Sequence, residues 1–222
     1  MITKATSMIR TNNTIQITSP LVRIHAHLCG DGGVYQYQSS EKDRIRRAYV
    51  MYFNNNADLI RSFRRDMQHL FHVQMTFIQK RDTLKVASIR IATFLLRLSE
   101  YGTRTWRIPP IIKGSSRKHK LEWIKAFSLD EGYLPPDRNC IRIKSMNVHG
   151  LQDLKEMLDS LHISSSLSGP NCDESYYLNI KKMAELTNFS KKKSRKYSGG
   201  RTFIPHGNLN LRPTGYEPVG HS

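Results

Sequence analysis

The chain has 222 residues, 38% of them apolar, enough for a packed core and too many for a disordered tail. Thirty-five Lys and Arg against 18 Asp and Glu give a formal charge of +17, which self-repels unless a polyanion is the usual partner, and nucleic acid is the default polyanion. No run of about 18 apolar residues suits a membrane span, the first twenty residues are too polar for a secretory signal, and Cys29, Cys140 and Cys172 lie too far apart for a disulfide framework or zinc knuckle.

The expected location is therefore intracellular: cytoplasm or nucleoid in a prokaryote, an organelle in a eukaryote. Residues 1–18 read as an arm. Ser19 as N-cap and Pro20 at the first helical position then open a predicted helix carrying Leu21, Ile24 and Leu28, which ends at the glycines around Asp31. Two strands follow, "VYQYQ" and "DRIRRAYVMYF". Residues 57–71 read as a helix with Ile60, Phe63, Met67 and Leu70 on one face. The strands "VQMTFIQK" and "LKVASI" flank a turn at Arg81-Asp82-Thr83, and a helix is expected over 89–101, closed by Gly102.

The order then repeats. The pattern predicts a helix over 116–129 ending in "LDEGYL", a strand "CIRIKSM", a helix over 151–161, a strand "SYYLNI" and a short helix over 181–189. Leu151, Leu154, Leu158 and Leu161 keep the spacing of Ile60, Phe63, Met67 and Leu70, and the exits match as well, "RTWRIP" ending at Pro109 and "RTFIP" at Pro205. The reading is an α+β protein made of a tandem repeat of αββαββα units: 19–109, a Pro, Gly, Ser and Lys linker at 110–118, a second unit at 119–206, and a tail at 207–222.

Duplication accounts for an isolated acid between helix and strand. Asp31-Gly32 ends the first helix of one unit and Glu131-Gly132 that of the other. A pseudo-two-fold relation lets the two helices pack side by side, with Ala26 and Gly30 on one face and Ala126 at the matching place. Two carboxylates meeting at helix C-termini repel each other, and oxygen ligands of that kind suit a divalent cation such as Mg²⁺. Beside a basic DNA-binding surface, such a site means phosphodiester hydrolysis.

"IHAHLCGDGGV" and "IKAFSLDEGYL" resemble the two signature motifs of the LAGLIDADG homing endonucleases, in the monomeric two-repeat form, archaeal or organellar and intron-encoded. The resemblance spans roughly residues 19 to 206. It implies two antiparallel saddle-shaped sheets around a central pair of packed helices. It also implies a site-specific enzyme that cuts a long asymmetric duplex across the minor groove, leaving short 3′ overhangs. Asp31 and Glu131 fall on the metal-binding acid positions. Gly30 and Asp130, just before them, belong to the same site, and Asp130, in place of a small residue, leaves two acids competing for the second ligand position. The implied cofactor is Mg²⁺, with Mn²⁺ as substitute and Ca²⁺ binding without efficient cleavage. His25, His27 and Lys125 replace apolar residues and are expected to face away from the helix pair. The resemblance also implies a basic residue at each scissile phosphate late in each unit, here Arg104 and Arg107 before Ile108-Pro109 and Arg201 before Ile204-Pro205.

Strand alternation nominates DNA contacts. Arg138, Arg142 and Lys144 share a face opposite Ile141 and Ile143. Arg44 shares one with Arg46, and Gln74 with Thr76 and Lys80. Lys191, Lys192, Lys193, Arg195 and Lys196 form a tract suited to phosphates. The partner is double-stranded DNA. No Walker sequence is present, Gly33-Val34-Tyr35 lacks the second motif of GIY-YIG nucleases, and intein splice blocks are absent. The alternatives on the same fold are a maturase that binds intron RNA and a nuclease-dead DNA-binding regulator; retention of Asp31 and Glu131 argues against the second.

Overall fold

The computed structural model describes residues 10–11, 14–38, 45–136 and 139–181. A two-stranded hairpin, β1 (Arg10–Thr11) and β2 (Thr14–Ile15), precedes helix α1 (Ser19–Cys29). Thr18, one residue earlier than expected, is its N-cap, with the hydroxyl accepting from Leu21 N at 3.4 Å, and Pro20 sits in the first turn where its missing N–H costs nothing. Then come β3 (Gly32–Gln38), β4 (Ile45–Phe53), α2 (Ala57–Phe71), β5 (Thr76–Ile78), β6 (Thr83–Ala87) and α3 (Ile89–Leu98). The second series is α4 (Pro110–Lys113), α5 (Arg117–Glu131), β7 (Gly132–Tyr133), β8 (Cys140–Ser145), α6 (Val148–Asp159), β9 (Ser165–Ser168) and β10 (Tyr176–Lys181).

The strands form two antiparallel four-stranded sheets, ordered β3-β4-β6-β5 and β7-β8-β10-β9. The second order repeats the first strand for strand. Asn56, Ser88, Ser116 and Asn147 cap α2, α3, α5 and α6, each side chain accepting a first-turn N–H. The fold is α+β, and α1 and α5 pack against each other at its centre.

The cores explain that packing. Leu21, Ile24 and Leu28 of α1 join the apolar cluster of the first sheet, with Val50, Tyr52, Phe63 and Leu84. Val22, Ala26 and Cys29, on another face of α1, join the cluster of the second sheet, with Trp123, Phe127, Ile143 and Leu154. From α5, Leu129 packs back onto the first cluster. Helix α1 is thus apolar on two faces because it serves two cores. Among the described residues no helix is long and apolar enough to cross a membrane.

Several boundaries differ from the sequence reading. Strand β5 ends at Ile78 and passes into a 3₁₀ turn over Gln79–Arg81; α3 stops at Leu98 because Ser99 turns extended. Residues 110–113 form a helical turn with Ile112 fully buried. Strands β7 and β9 fill two places that the αββαββα pattern implies in the second unit but that no predicted strand occupies. Of the short helix expected over 181–189, Lys181 is the last residue of strand β10, and residues 182–189 and the tail lie outside the described residues.

Candidate active site and nucleic-acid interface

The first acid follows from the exit of α1. Gly30 caps the helix, its N–H reaching the Ala26 carbonyl at 3.0 Å, and β3 starts at Gly32. The Asp31 carbonyl accepts from Phe53 N at 2.8 Å, and its Oδ2 accepts from Asn54 Nδ2 at 2.7 Å. Asn54 is buried just past β4 and is itself held: its N donates to the Asp82 carbonyl at 3.0 Å, and its Oδ1 accepts from Asn56 N at 2.9 Å.

The second helix delivers its acids to the same place. Asp130, in the last turn of α5, has no exposed side-chain surface. Its Oδ2 accepts from His27 Nδ1 at 2.8 Å and its Oδ1 from the Tyr52 hydroxyl at 2.8 Å. Asn54 Nδ2 lies 3.4 Å from Asp130 Oδ1 and 3.2 Å from the Tyr52 oxygen, so one amide nitrogen faces the carboxylates of both Asp31 and Asp130. Burial, and after it the charge of Asp130, pushes the Tyr52 hydroxyl well above the usual tyrosine range, so it stays a donor. Glu131 is the last residue of α5, at the position matching Asp31 before Gly132. The structure therefore brings Asp31 and Asp130 together at Asn54, with Glu131 next to Asp130 at the end of α5. It also adds three residues that the sequence did not nominate: His27, Tyr52 and Asn54.

The histidines correct an expectation. His25 and His27 do not face away from the helix pair; both are buried and both reach α5. The Trp123 indole N–H donates to His25 Nδ1 at 2.9 Å, and His27 contacts Asp130. Burial drives the His25 imidazole down to about 3. Among the described residues no group of three or more His, Cys, Asp or Glu is arranged to hold a metal ion.

The nominated arginines are engaged with acids of their own chain. Arg107 grips Asp153 of α6 with Nε at 2.7 Å and Nη2 at 3.1 Å, and Lys113 Nζ and Ile108 N reach the same carboxylate at 2.9 Å and 3.1 Å. Burial pushes Asp153 up, but these donors outweigh it and hold the carboxyl below its usual range. Arg104 meets Glu174 at 3.2 Å in a solvent-exposed pair. Arg201 lies outside the described residues.

On the second sheet the alternation holds: Ile141 and Ile143 are buried, while Arg142 and Lys144 face away from them. The register sets Tyr133, Arg142, Asn179 and Ser166 in one row across four strands, and Lys144 beside Tyr177. Arg142 Nε donates to Asn179 Oδ1 at 2.7 Å and Nη1 to the Tyr133 hydroxyl at 3.2 Å; Lys144 meets Asp173 at 2.5 Å. On the first sheet Ala48, Val50 and Tyr52 point inward, while Arg47 is exposed and Lys85 Nζ sits 3.7 Å over the Tyr49 ring. The pairing of β3 with β4 shifts register between the Tyr37–Arg47 and Gln38–Ile45 pairs, and the Arg46 side chain lies outside the described residues. Thr76 pairs with Lys85 and is exposed, as are Gln74, which precedes β5, and Lys80, which lies on the 3₁₀ turn instead of the strand face. Arg44, Arg138, Lys191, Lys192, Lys193, Arg195 and Lys196 lie outside the described residues.

Neither a family model nor a curated protein matches the chain. Solved structures do. Mesophilic variants of the homing endonuclease I-DmoI align with a TM-score of 0.58 and 19% identity over 73% of this chain and 83% of that one. I-DmoI in complex with DNA and Mn aligns with the same score and identity over 73% and 89%, and the complex with DNA and Ca with 0.57 and 18% over 73% and 83%. Two four-stranded antiparallel sheets, a central helix pair and acids at the ends of both helices thus meet in a chain that has the fold of the LAGLIDADG homing endonucleases, the family its two motifs resemble.

Proposed function

We propose that the protein is a divalent-metal-dependent endonuclease that, as a monomer, cuts both strands of a long asymmetric DNA duplex and leaves short 3′ overhangs. The observation that carries the reading is the convergence of Asp31 and the end of α5 on Asn54, between two sheets whose outer faces are cationic and polar. The fold similarity to an endonuclease solved with DNA and Mn supports it.

The donor set fits a hard cation. Mg²⁺ is bound by one or two carboxylates and completes its shell with water and substrate phosphate oxygens, so two acids suffice. Asp31 and Glu131 would hold it. Asp130 is the poorer ligand, since both its oxygens are taken by Tyr52 and His27 with no exposed surface left. The bound ion would lower the pKa of a water and stabilise the leaving oxygen. The chain's residues orient the rest: Asn54 fixes Asp31, and the rows at Arg142-Asn179 and at Lys85 present donors to base edges and phosphates. Hydrolysis joins the water oxygen to phosphorus, breaks the P–O3′ bond and delivers the proton to the 3′ oxygen. Arg104, released from an exposed pair, is better placed to grip phosphate than Arg107, which would have to leave a two-point contact with a buried carboxylate.

Mn²⁺ substitutes for Mg²⁺ in this reading, and Ca²⁺ supports binding without efficient cleavage. The test is digestion of a randomised pool of long duplexes with Mg²⁺, followed by sequencing of the cut ends. We expect one family of asymmetric sites cut on both strands. Binding without cutting in either Mg²⁺ or Mn²⁺ would replace this reading with a DNA-binding regulator, and preferential binding of a precursor RNA with a maturase.

A further inference from the structure

Among the described residues, the polar socket around Asp130 is not repeated at the matching positions of the other half. Gly32 pairs with Tyr52 and Gly132 with Ile143, which makes residues comparable. By that register Tyr52 corresponds to Ile143, Asn54 to Ser145, His27 to Phe127 and Gly30 to Asp130. Phe127 and Ile143 are buried in the second core, where the first half has a donor in each place. The missing side chain of Gly30 makes the room: a Cβ there would stand 2.9 Å from Asp130 Cβ and 3.0 Å from its Oδ2.

We propose that Asp130 is a positioning residue that orients Asp31 through Asn54, so that the two strand cuts depend on it unequally; this rests on the nuclease reading above. Asn54 Oδ1 is committed to Asn56 N, which fixes which end of the amide faces Asp31. Tyr52 gives its proton to Asp130 and so keeps a lone pair toward Asn54 Nδ2 at 3.2 Å. The second amide hydrogen is held there, and the first is left for Asp31 Oδ2. A carboxylate accepts at both oxygens, so Asp130 meets His27 Nδ1 with one and holds the Tyr52 hydroxyl with the other in a charge-assisted bond. An amide at position 130 leaves Tyr52 at most a neutral acceptor, and the more weakly held hydroxyl then competes for Asn54. Gly30, Phe127 and Ile143 carry no polar side chain, so the carboxylate and tyrosine of this relay are not repeated in the second half.

Two measurements on the full chain test this. In ¹⁵N-labelled protein the Asn54 side-chain amide should exchange slowly and resonate apart from surface amides. Asp130→Asn and Tyr52→Phe should shift it and speed its exchange while other core resonances stay put; an unchanged Asn54 amide overturns the proposal. The second is strand-resolved nicking of an end-labelled duplex, recovered by the wild-type protein from the randomised pool. Asp31→Asn identifies the strand that depends more on Asp31. Asp130→Asn, and separately Asn54→Ser, which copies Ser145, should slow that strand roughly tenfold more than the other, the scale of loss when groups that orient a ligand are removed. Equal slowing of both strands, or none, overturns the proposal. If the wild-type protein cuts no duplex, the nuclease reading falls, and the amide measurement alone decides whether Asp130 holds Asn54.

Discussion

Trp123 on α5 donates its indole N–H to Nδ1 of His25 on α1 at 2.9 Å, so the imidazole at the helix contact is neutral. Its proton sits on Nε2, buried and, among the described residues, unpaired. Charging this ring would put a second donor against the indole in a dry interface. The folded pKa of about 3 against an ordinary 6.5 means that the unfolded chain takes up the proton first as pH falls. Stability from this group is complete above pH 6.5 and is lost toward pH 3, at about 1.4 kcal/mol per pH unit. His25→Asn keeps an acceptor without a proton to gain. Urea unfolding of the two proteins at a series of pH values should show their difference changing at that slope; parallel curves refute it.

Asp31→Asn and Glu131→Gln should each lower cleavage by about 10²-fold or more, as loss of a key electrostatic group does, and leave DNA binding by gel shift intact. A Glu131→Gln protein that cuts at the wild-type rate would remove Glu131 from the metal site.

DNA binding should weaken steeply with salt. With about eight phosphates neutralised, log affinity falls against log salt with a slope near −7, as expected for a chain of formal charge +17. A flat titration would exclude DNA as the partner.

Asp153 ties residues 107–113 to α6. Asp153→Asn should cost about 2 kcal/mol, because Arg107, Lys113 and the Ile108 N–H lose hydrogen bonds to a charged acceptor. Arg107→Ala should cost only about 1 kcal/mol, since Lys113 and the Ile108 N–H still serve the carboxylate. Donors hold Asp153 below its ordinary value, so the advantage of wild type over Asp153→Asn exists above about pH 4 and disappears as pH falls through the lowered value. Chemical denaturation at pH 7 and pH 3 measures both.

The features legible in sequence were those with local signals. Periodic apolar residues announced α2 and α6, and Ile141 and Ile143 alternating with Arg142 and Lys144 announced β8. Strand β9 is "SSLS" at a sheet edge, three serines without an apolar face to count. The Asp31-Glu131 equivalence was readable because duplication repeats it. The socket was not: Tyr52 and His27 meet Asp130 across 78 and 103 positions of chain, and a buried tyrosine in an apolar strand looks like core until its hydroxyl finds a partner. Arg47 and Lys85 escaped notice because the outward face of β4 and β6 depends on a register that only pairing reveals.

Cys29 is a built-in reporter of how often the two cores part. It belongs to α1, yet its thiol is packed in the second cluster, and burial, then the charge of Asp153, raises its pKa. A closed seam leaves almost no thiolate to alkylate. Cys140 is half-buried and Cys172 exposed. With those two replaced by serine, the rate at which an alkylating reagent consumes the protein counts separations of α1 from the second core. A duplex gripped by both sheets should slow that rate, giving a binding assay that needs neither cleavage nor knowledge of the cut site.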